Sequence, residues 1–248
     1  RVPEETNRRI VDHIADVNLT YSKIARQYLI KEGLHPEKII HIGSPLPEVF
    51  NYFSKQIRQS KILKKLKIKK NQYFLASIHR EENIENKENF ENIFDFFNLI
   101  TEKYNKPIII STHPRTMSKI QNRKKLSKKI IFLKPMNFSD YNCLQVNSFV
   151  VLSDSGTITE ETSILNLSSI NIREAQERPE GMEQSTVIMS GTKISNLLNS
   201  LEVTIKQKNK KIKFNKIDDY KSSNISEKIP RIILSYIDQI NKKIWFKK

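Results

Sequence analysis

Short runs of apolar, largely β-branched residues punctuate the chain, and most are followed by a longer stretch whose apolar residues recur every three or four positions. The runs are KIIHIG (38–43), YFLASI (73–78), KPIIIS (106–111), KIIFLK (129–134), FVVLS (149–153), SSINI (168–172) and STVIMS (185–190). They are continuous rather than alternating, the pattern of strands covered on both faces. Residues 83–104, 157–165 and 193–207 are amphipathic at the helical period. Strand–helix alternation of this kind predicts an α/β fold, a doubly wound parallel sheet with helices on both faces. The first ~42 residues read as helix, short strand, helix and strand. Residues 223–248 read as one long helix. GSPLPEV (43–49) carries a glycine and two prolines and is a candidate hinge. The expected division is 1–43, 44–215 and 216–248, the last a helix returning to the first part.

The polar residues are placed unevenly on this frame. HREEN (79–83) follows YFLASI, THPRT (112–116) follows KPIIIS, DSGT (154–157) follows FVVLS, and REAQERPEG (173–181) follows SSINI. Four strands therefore carry polar clusters at their carboxyl ends, the edge at which open α/β sheets bind ligands.

In DSGTITEE, Ser155-Gly156-Thr157 stands between a strand and a helix. Glycine admits close backbone approach, and free N–H groups at a helix start suit a phosphate. A plain alternative stands beside this: Thr157-x-x-Glu160 is a capping box that needs no ligand. Glu161 is not used by that box and could accept from ribose hydroxyls. His79 and Arg80 read either as structural residues or as phosphate partners, and His113 and Arg115 repeat the pattern one strand over. Near the start, Glu4 and Arg8 lie at i, i+4 behind Pro3, which locally is an ordinary surface ion pair.

Composition narrows the class. No apolar run approaches the ~18 residues of a membrane-spanning helix. Cys143 is the single cysteine, which excludes an internal disulfide, fits a reducing, cytoplasmic setting and reads as a small buried residue. The formal charge of +16 invites a nucleic-acid reading, yet only Arg1, Arg8, Arg9, Arg26, Arg58, Arg80, Arg115, Arg123, Arg173, Arg178 and Arg231 among the 43 basic residues are arginine. The lysines lie in runs such as KILKKLKIKK, which reads as a solvated face rather than a nucleic-acid surface. No cysteine cluster, HExxH or close histidine pair suggests a metal. GxGxxG is absent and the chain has 5 glycines, which argues against a dinucleotide site.

RVPEETNRRIVDHIAD, HREEN, DSGTITEE and ERPEG, in this order over nearly the whole chain, resemble the non-hydrolysing UDP-N-acetylglucosamine 2-epimerase family. The resemblance implies a GT-B architecture, two Rossmann-like domains with the active site in their cleft. On that reading 44–215 is the UDP-binding domain, and 1–43 is the tail of the other. It implies a UDP-linked N-acetylhexosamine substrate whose C2 is inverted by anti elimination and re-addition of UDP. No metal or redox cofactor is expected, and a homodimer is. Carried over motif by motif, Glu4 and His79 are the catalytic residues. Arg8, Arg80, His113, Arg115, Ser155, Gly156, Thr157, Glu161 and Arg178 are the substrate-binding ones. Ser-Gly-Thr in place of the common Ser-Gly-Gly, and the longer NIREAQERPEGME, resemble the branch acting on UDP-2-acetamido-2,6-dideoxy-L-talose. Further carboxylates and an early arginine of the family's first domain lie upstream of the PEE motif and have no counterpart here. The 248 residues are thus expected to hold UDP without turning over sugar. A non-catalytic UDP-binding remnant and a GT-B glycosyltransferase remain the alternatives.

Overall fold

The computed structural model describes residues 3–112, 117, 119–120 and 126–247, with the backbone alone for Pro3 and Glu4. The chain forms two compact units, Arg1–Tyr52 with Ile217–Lys248, and Phe53–Lys216.

In the first unit α1 (Pro3–Ile14), β1 (Asn18–Thr20), α2 (Lys23–Lys31) and β2 (Ile39–His41) follow one another. The two strands pair in parallel, Asn18 opposite Ile39. α2 begins where the Ser22 side chain accepts from Ala25 N, satisfying a donor that the helix cannot. The next helix, α3, spans Leu46–Gln59. The returning segment is stitched to the exit of β2. Asp219 lies 2.9 Å from His41 Nε2, its carboxylate accepts from Lys23 N, and its carbonyl accepts from Ser44 N. Gly43 sits at φ +91° against Ser222, a conformation and a space that suit only glycine. The long C-terminal helix runs Ile225–Lys243, and Trp245 beyond it donates to Asp16.

The second unit begins within α3 and continues with α4 (Ile62–Lys65), β3 (Phe74–Ser77), α5 (Glu81–Ile84), α6 (Lys87–Lys103), β4 (Ile108–Ser111) and β5 (Ile130–Leu133). It then runs through α7 (Phe138–Asn147), β6 (Val150–Ser153), α8 (Ile158–Leu165), β7 (Ser169–Asn171), α9 (Pro179–Glu183), β8 (Ile188–Met189) and α10 (Ile194–Asn209). The strands form one parallel sheet in the order β5-β4-β3-β6-β7-β8. The chain works outward from β3 to β5, returns to β6 beside β3, and works outward again to β8. The order reverses between β3 and β6, which is the Rossmann arrangement and its switch point. The register levels the strand ends, since Ser77 pairs with both Ser111 and Ser153. The clusters 79–83, 154–157 and 173–181 therefore leave from adjacent strands, β3, β6 and β7, and Thr112 leaves β4 beside them, the rest of its cluster lying outside the described residues.

Both faces of the sheet are covered, as continuous apolar runs require. Phe74, Ala76, Ile108, Ile110, Val150 and Leu152 share a core with Phe90, Ile93, Phe94 and Phe97 of α6 and Leu197 and Leu201 of α10. Residues of the other parity, Leu75, Ile109 and Val151, are equally buried. Cys143 is buried too.

Two expectations need correcting. Residues 83–104 form not one helix but α5 and α6, divided at Asn86, whose side chain caps α6 by accepting from Asn89 N. The division leaves Asn83 in the short α5, buried, with its amide turned toward Asp154 and Ile172 O. The run 185–190 yields only a two-residue strand, β8.

Candidate functional site

Asp154 directly follows β6 at the switch point and is fully buried. Its carboxylate accepts from His79 N at 3.1 and 3.0 Å, from Arg80 N at 2.9 Å and from Asn83 Nδ2 at 3.2 Å. These donors lie in the loop that leaves β3 and at the start of α5. A single buried anion thus ties together the exits of the two central strands. His79 Nδ1 also lies 3.2 Å from Asp154 Oδ1, while its ring remains half exposed. The carboxylate favours the Nδ1–H tautomer, which leaves Nε2 as the nitrogen able to take or give a proton.

The turn after Asp154 departs from the expected capping box. Thr157 already has helical dihedrals (φ −70°, ψ −16°), and its side chain caps nothing. A capping side chain needs the extended backbone that precedes a helix. Ser155 stands ahead of it: its Oγ accepts from Thr157 N at 3.3 Å and its carbonyl accepts from Ile158 N. Thr157 Oγ1 lies 2.8 Å from Ser155 Oγ and donates to Glu161 Oε1 at 2.8 Å. Glu160, the other half of the expected box, instead takes Arg178 at 2.7 and 2.6 Å.

Glu161 also accepts from Gln145 Nε2 of α7. Burial pushes its carboxyl above the ordinary range, against the pull of the Gln145 and Thr157 hydrogen bonds. Tyr141, on the same helix as Gln145, is hydrogen-bonded to Ser77 and close to Glu161 and Asp154. Burial above all drives its phenol upward.

Beyond β7 the loop from Arg173 to Arg178 closes over this turn. Arg173 is buried and holds Glu177 at 2.9 and 3.0 Å, and Arg80 reaches the same carboxylate at 2.8 Å. Burial alone would raise Glu177, but the hydrogen bonds and charges of Arg173 and Arg80 outweigh it and hold the carboxyl at about 2. A Cβ on Gly156 would collide with this carboxylate and come within 2.8 Å of Arg178 Nη1. Glycine at 156 therefore admits the loop.

His79, Arg80, Ser155, Gly156, Thr157, Glu161 and Arg178 are thus assembled at one edge of the second unit. Glu4 and Arg8 belong to α1 of the first unit: Arg8 is exposed, and the Glu4 side chain, like His113 and Arg115, lies outside the described residues. Sequence reasoning passed over Asp154, Asn83, Gln145, Glu160, Arg173 and Glu177. For all of them but Gln145 the available signal was a place in or beside the strand-end clusters; Gln145, inside α7, carried none. Among the described residues no group of His, Cys, Asp and Glu could hold a metal, and no helix is long and apolar enough to cross a membrane.

Fold and edge together define a Rossmann-type α/β unit whose switch point carries a histidine, clustered arginines and a Ser-Gly-Thr helix entry. A family model described as UDP-N-acetylglucosamine 2-epimerase matches residues 1–234. The chain belongs to the UDP-N-acetylglucosamine 2-epimerase family. It is 46% identical to the UDP-N-acetylglucosamine 2-epimerase of Rickettsia bellii, whose structure it matches with a TM-score of 0.90 over 100% of this chain and 67% of that one. The Methanocaldococcus jannaschii enzyme, solved in complex with UDP-GlcNAc and UDP, matches at 30% identity and a TM-score of 0.84, over 94% of this chain and 65% of that one. The UDP-N-acetylglucosamine 2-epimerase of Methanococcus maripaludis is 32% identical over 215 residues, 83% of this chain. The chain spans 58% of that relative's length.

Proposed function

We propose that the second unit binds the UDP of a UDP-linked N-acetylhexosamine and that the protein takes part in epimerising that sugar at C2. The observation that carries the reading is the meeting of His79, Arg80 and the Ser155-Gly156 helix entry at the switch point, with Asp154 tying them together. In this reading Ser155 and Gly156 hold phosphate at the start of α8, and Arg80 with the neighbouring arginines neutralises it. Glu161, a carboxylate already short of solvent, accepts from the ribose hydroxyls.

The C2 proton of such a sugar is weakly acidic, so its removal must be coupled to departure of UDP. A cationic array on the diphosphate stabilises the leaving charge, and His79 Nε2 is a group able to carry a proton beside it. Elimination gives a 2-acetamidoglycal. Return of the proton to the opposite face and re-addition of UDP complete the inversion. Glu4 and Arg8 enter this scheme through their motif alone, Glu4 as a carboxylate for the sugar, Arg8 as a contact to substrate. His113 and Arg115 enter in the same way, and Arg178 contributes from the loop after β7. The finer reading takes the sugar as UDP-2-acetamido-2,6-dideoxy-L-talose, the setting as cytoplasmic surface-polysaccharide precursor synthesis, and the assembly as a homodimer.

Calorimetric titration of UDP tests the nucleotide step. The 248-residue chain is expected to bind UDP, and a Ser155→Ala/Glu161→Gln double variant to lose that binding. Equal affinity in the two proteins would return the DSGTITEE stretch to a purely structural role.

A further inference from the structure

Glu177 is a carboxylate gripped by guanidinium groups from separate parts of the chain. Arg80 Nη2 donates to Oε1 at 2.8 Å and Arg173 Nη2 to Oε1 at 3.0 Å, while Arg173 Nη1 lies 2.9 Å and Arg178 Nη1 3.9 Å from Oε2. Oε2 also rests against Gly156, in the turn that opens α8. The carboxylate therefore occupies a point where the positive end of a helix and three guanidinium groups converge, the surroundings in which phosphate oxygens are held.

The other carboxylates of the cluster differ from it. Asp154 (0% exposed) is pinned by backbone N–H groups and Glu160 (3%) is paired with Arg178. Glu82 stands at the rim, 3.8 Å from Arg173 Nη2. Glu177 keeps 21% of its side-chain exposure and sits in a segment that is neither helix nor strand. It is the anion of the cluster that can leave by rotating its own side chain.

We propose that Glu177 is a built-in anion that holds the place of the substrate's diphosphate between Arg80, Arg173 and the start of α8, and yields that place when the diphosphate arrives. The proposal rests on the nucleotide reading above. Without such an anion, Arg80 and Arg173 would repel one another and splay, while Arg178 would keep Glu160. With it, they stand ready, and binding exchanges one anion for another instead of gathering the array afresh.

The test is calorimetry of the 248-residue chain and of Glu177→Gln with two probes, UDP and uridine. The amide keeps an oxygen acceptor for the arginines but removes the competing charge. UDP is expected to bind the variant roughly tenfold more tightly, the scale of one charge-assisted hydrogen bond, while uridine affinity stays unchanged. Equal or weaker UDP binding by a variant with wild-type circular dichroism that is still folded at the titration temperature overturns the proposal. A crystal structure of the wild-type protein with UDP provides a second measurement, independent of how the variant folds. The Glu177 carboxylate is expected off at least one of Arg80 and Arg173, and finding it on both beside bound UDP overturns the proposal alone. Failure of the folded wild-type protein to bind UDP overturns the nucleotide reading and this proposal together.

Discussion

Asp154 and Glu177 are both anions at the carboxyl edge of one sheet, but they are held by different means. Asp154 directly follows a central strand, is sealed from solvent, and takes its hydrogen bonds largely from the backbone of His79 and Arg80. Glu177 lies in a loop, is partly exposed, and is held by the long side chains of Arg80 and Arg173. Backbone donors cannot move without moving the strands that carry them, whereas arginine side chains can. The first carboxylate therefore belongs to the framework that positions His79, and the second to the part of the site that can rearrange.

The largest expected effect breaks the first of these. Asp154→Ala leaves two backbone N–H groups and the Asn83 amide without their buried acceptor, and should cost roughly 3–5 kcal/mol in urea unfolding. A loss below about 1 kcal/mol would show that the carboxylate does not tie the two strand exits. The second carboxylate should show itself in acid. Its folded pKa, about 2, lies below the ordinary carboxyl value. The stability it contributes is therefore present above the ordinary carboxyl range and is lost as pH falls from there through about 2. After allowance for partial exposure this is about 2–3 kcal/mol. Unfolding free energies of wild type and Glu177→Gln, measured from pH 6 downward, should converge toward the bottom of that window. A constant gap across it would remove Glu177 from the arginine cluster.

On the ligand side, Glu161→Gln should weaken UDP binding by roughly 1–3 kcal/mol if the carboxylate accepts from ribose, and unchanged calorimetric affinity would refute that role. The smallest effects come from two glycines. A methyl on Gly181 would strike the side chain of buried Thr159, whereas one on Gly156 meets the far ends of Glu177 and Arg178. Gly181→Ala should therefore cost about 1–2 kcal/mol and Gly156→Ala less than about 1, compared by thermal midpoint. The reverse order would mean that Glu177 is as fixed as the core.

The alternation of strands and helices was legible because strands buried on both faces read as unbroken apolar runs, and the strand-end polar clusters were legible because they interrupt those runs. The capping box was misread for a physical reason. Thr157 and Glu160 have the right local spacing, but Glu160 finds Arg178 eighteen residues further on, a partner that no local pattern displays. Asn83 looked like part of a long helix for the same reason, since its amide answers to Asp154, far along the chain. Glu177 stands in the ERPEG stretch at a strand end, but nothing around it displays Arg80, ninety-seven residues earlier, which the fold brings to it beside Arg173. What sequence could not supply in each case was the distant partner.

The anchoring of His79 and Arg80 also has a consequence in time. Both residues belong to a surface turn, where amide protons ordinarily trade with solvent quickly. Here those two protons point into a carboxylate that water does not reach, and the carboxylate stands at the end of the central strand β6. Their exchange has to wait for β3 and β6 to part, so two residues in a loop should keep the slow clock of the sheet's core.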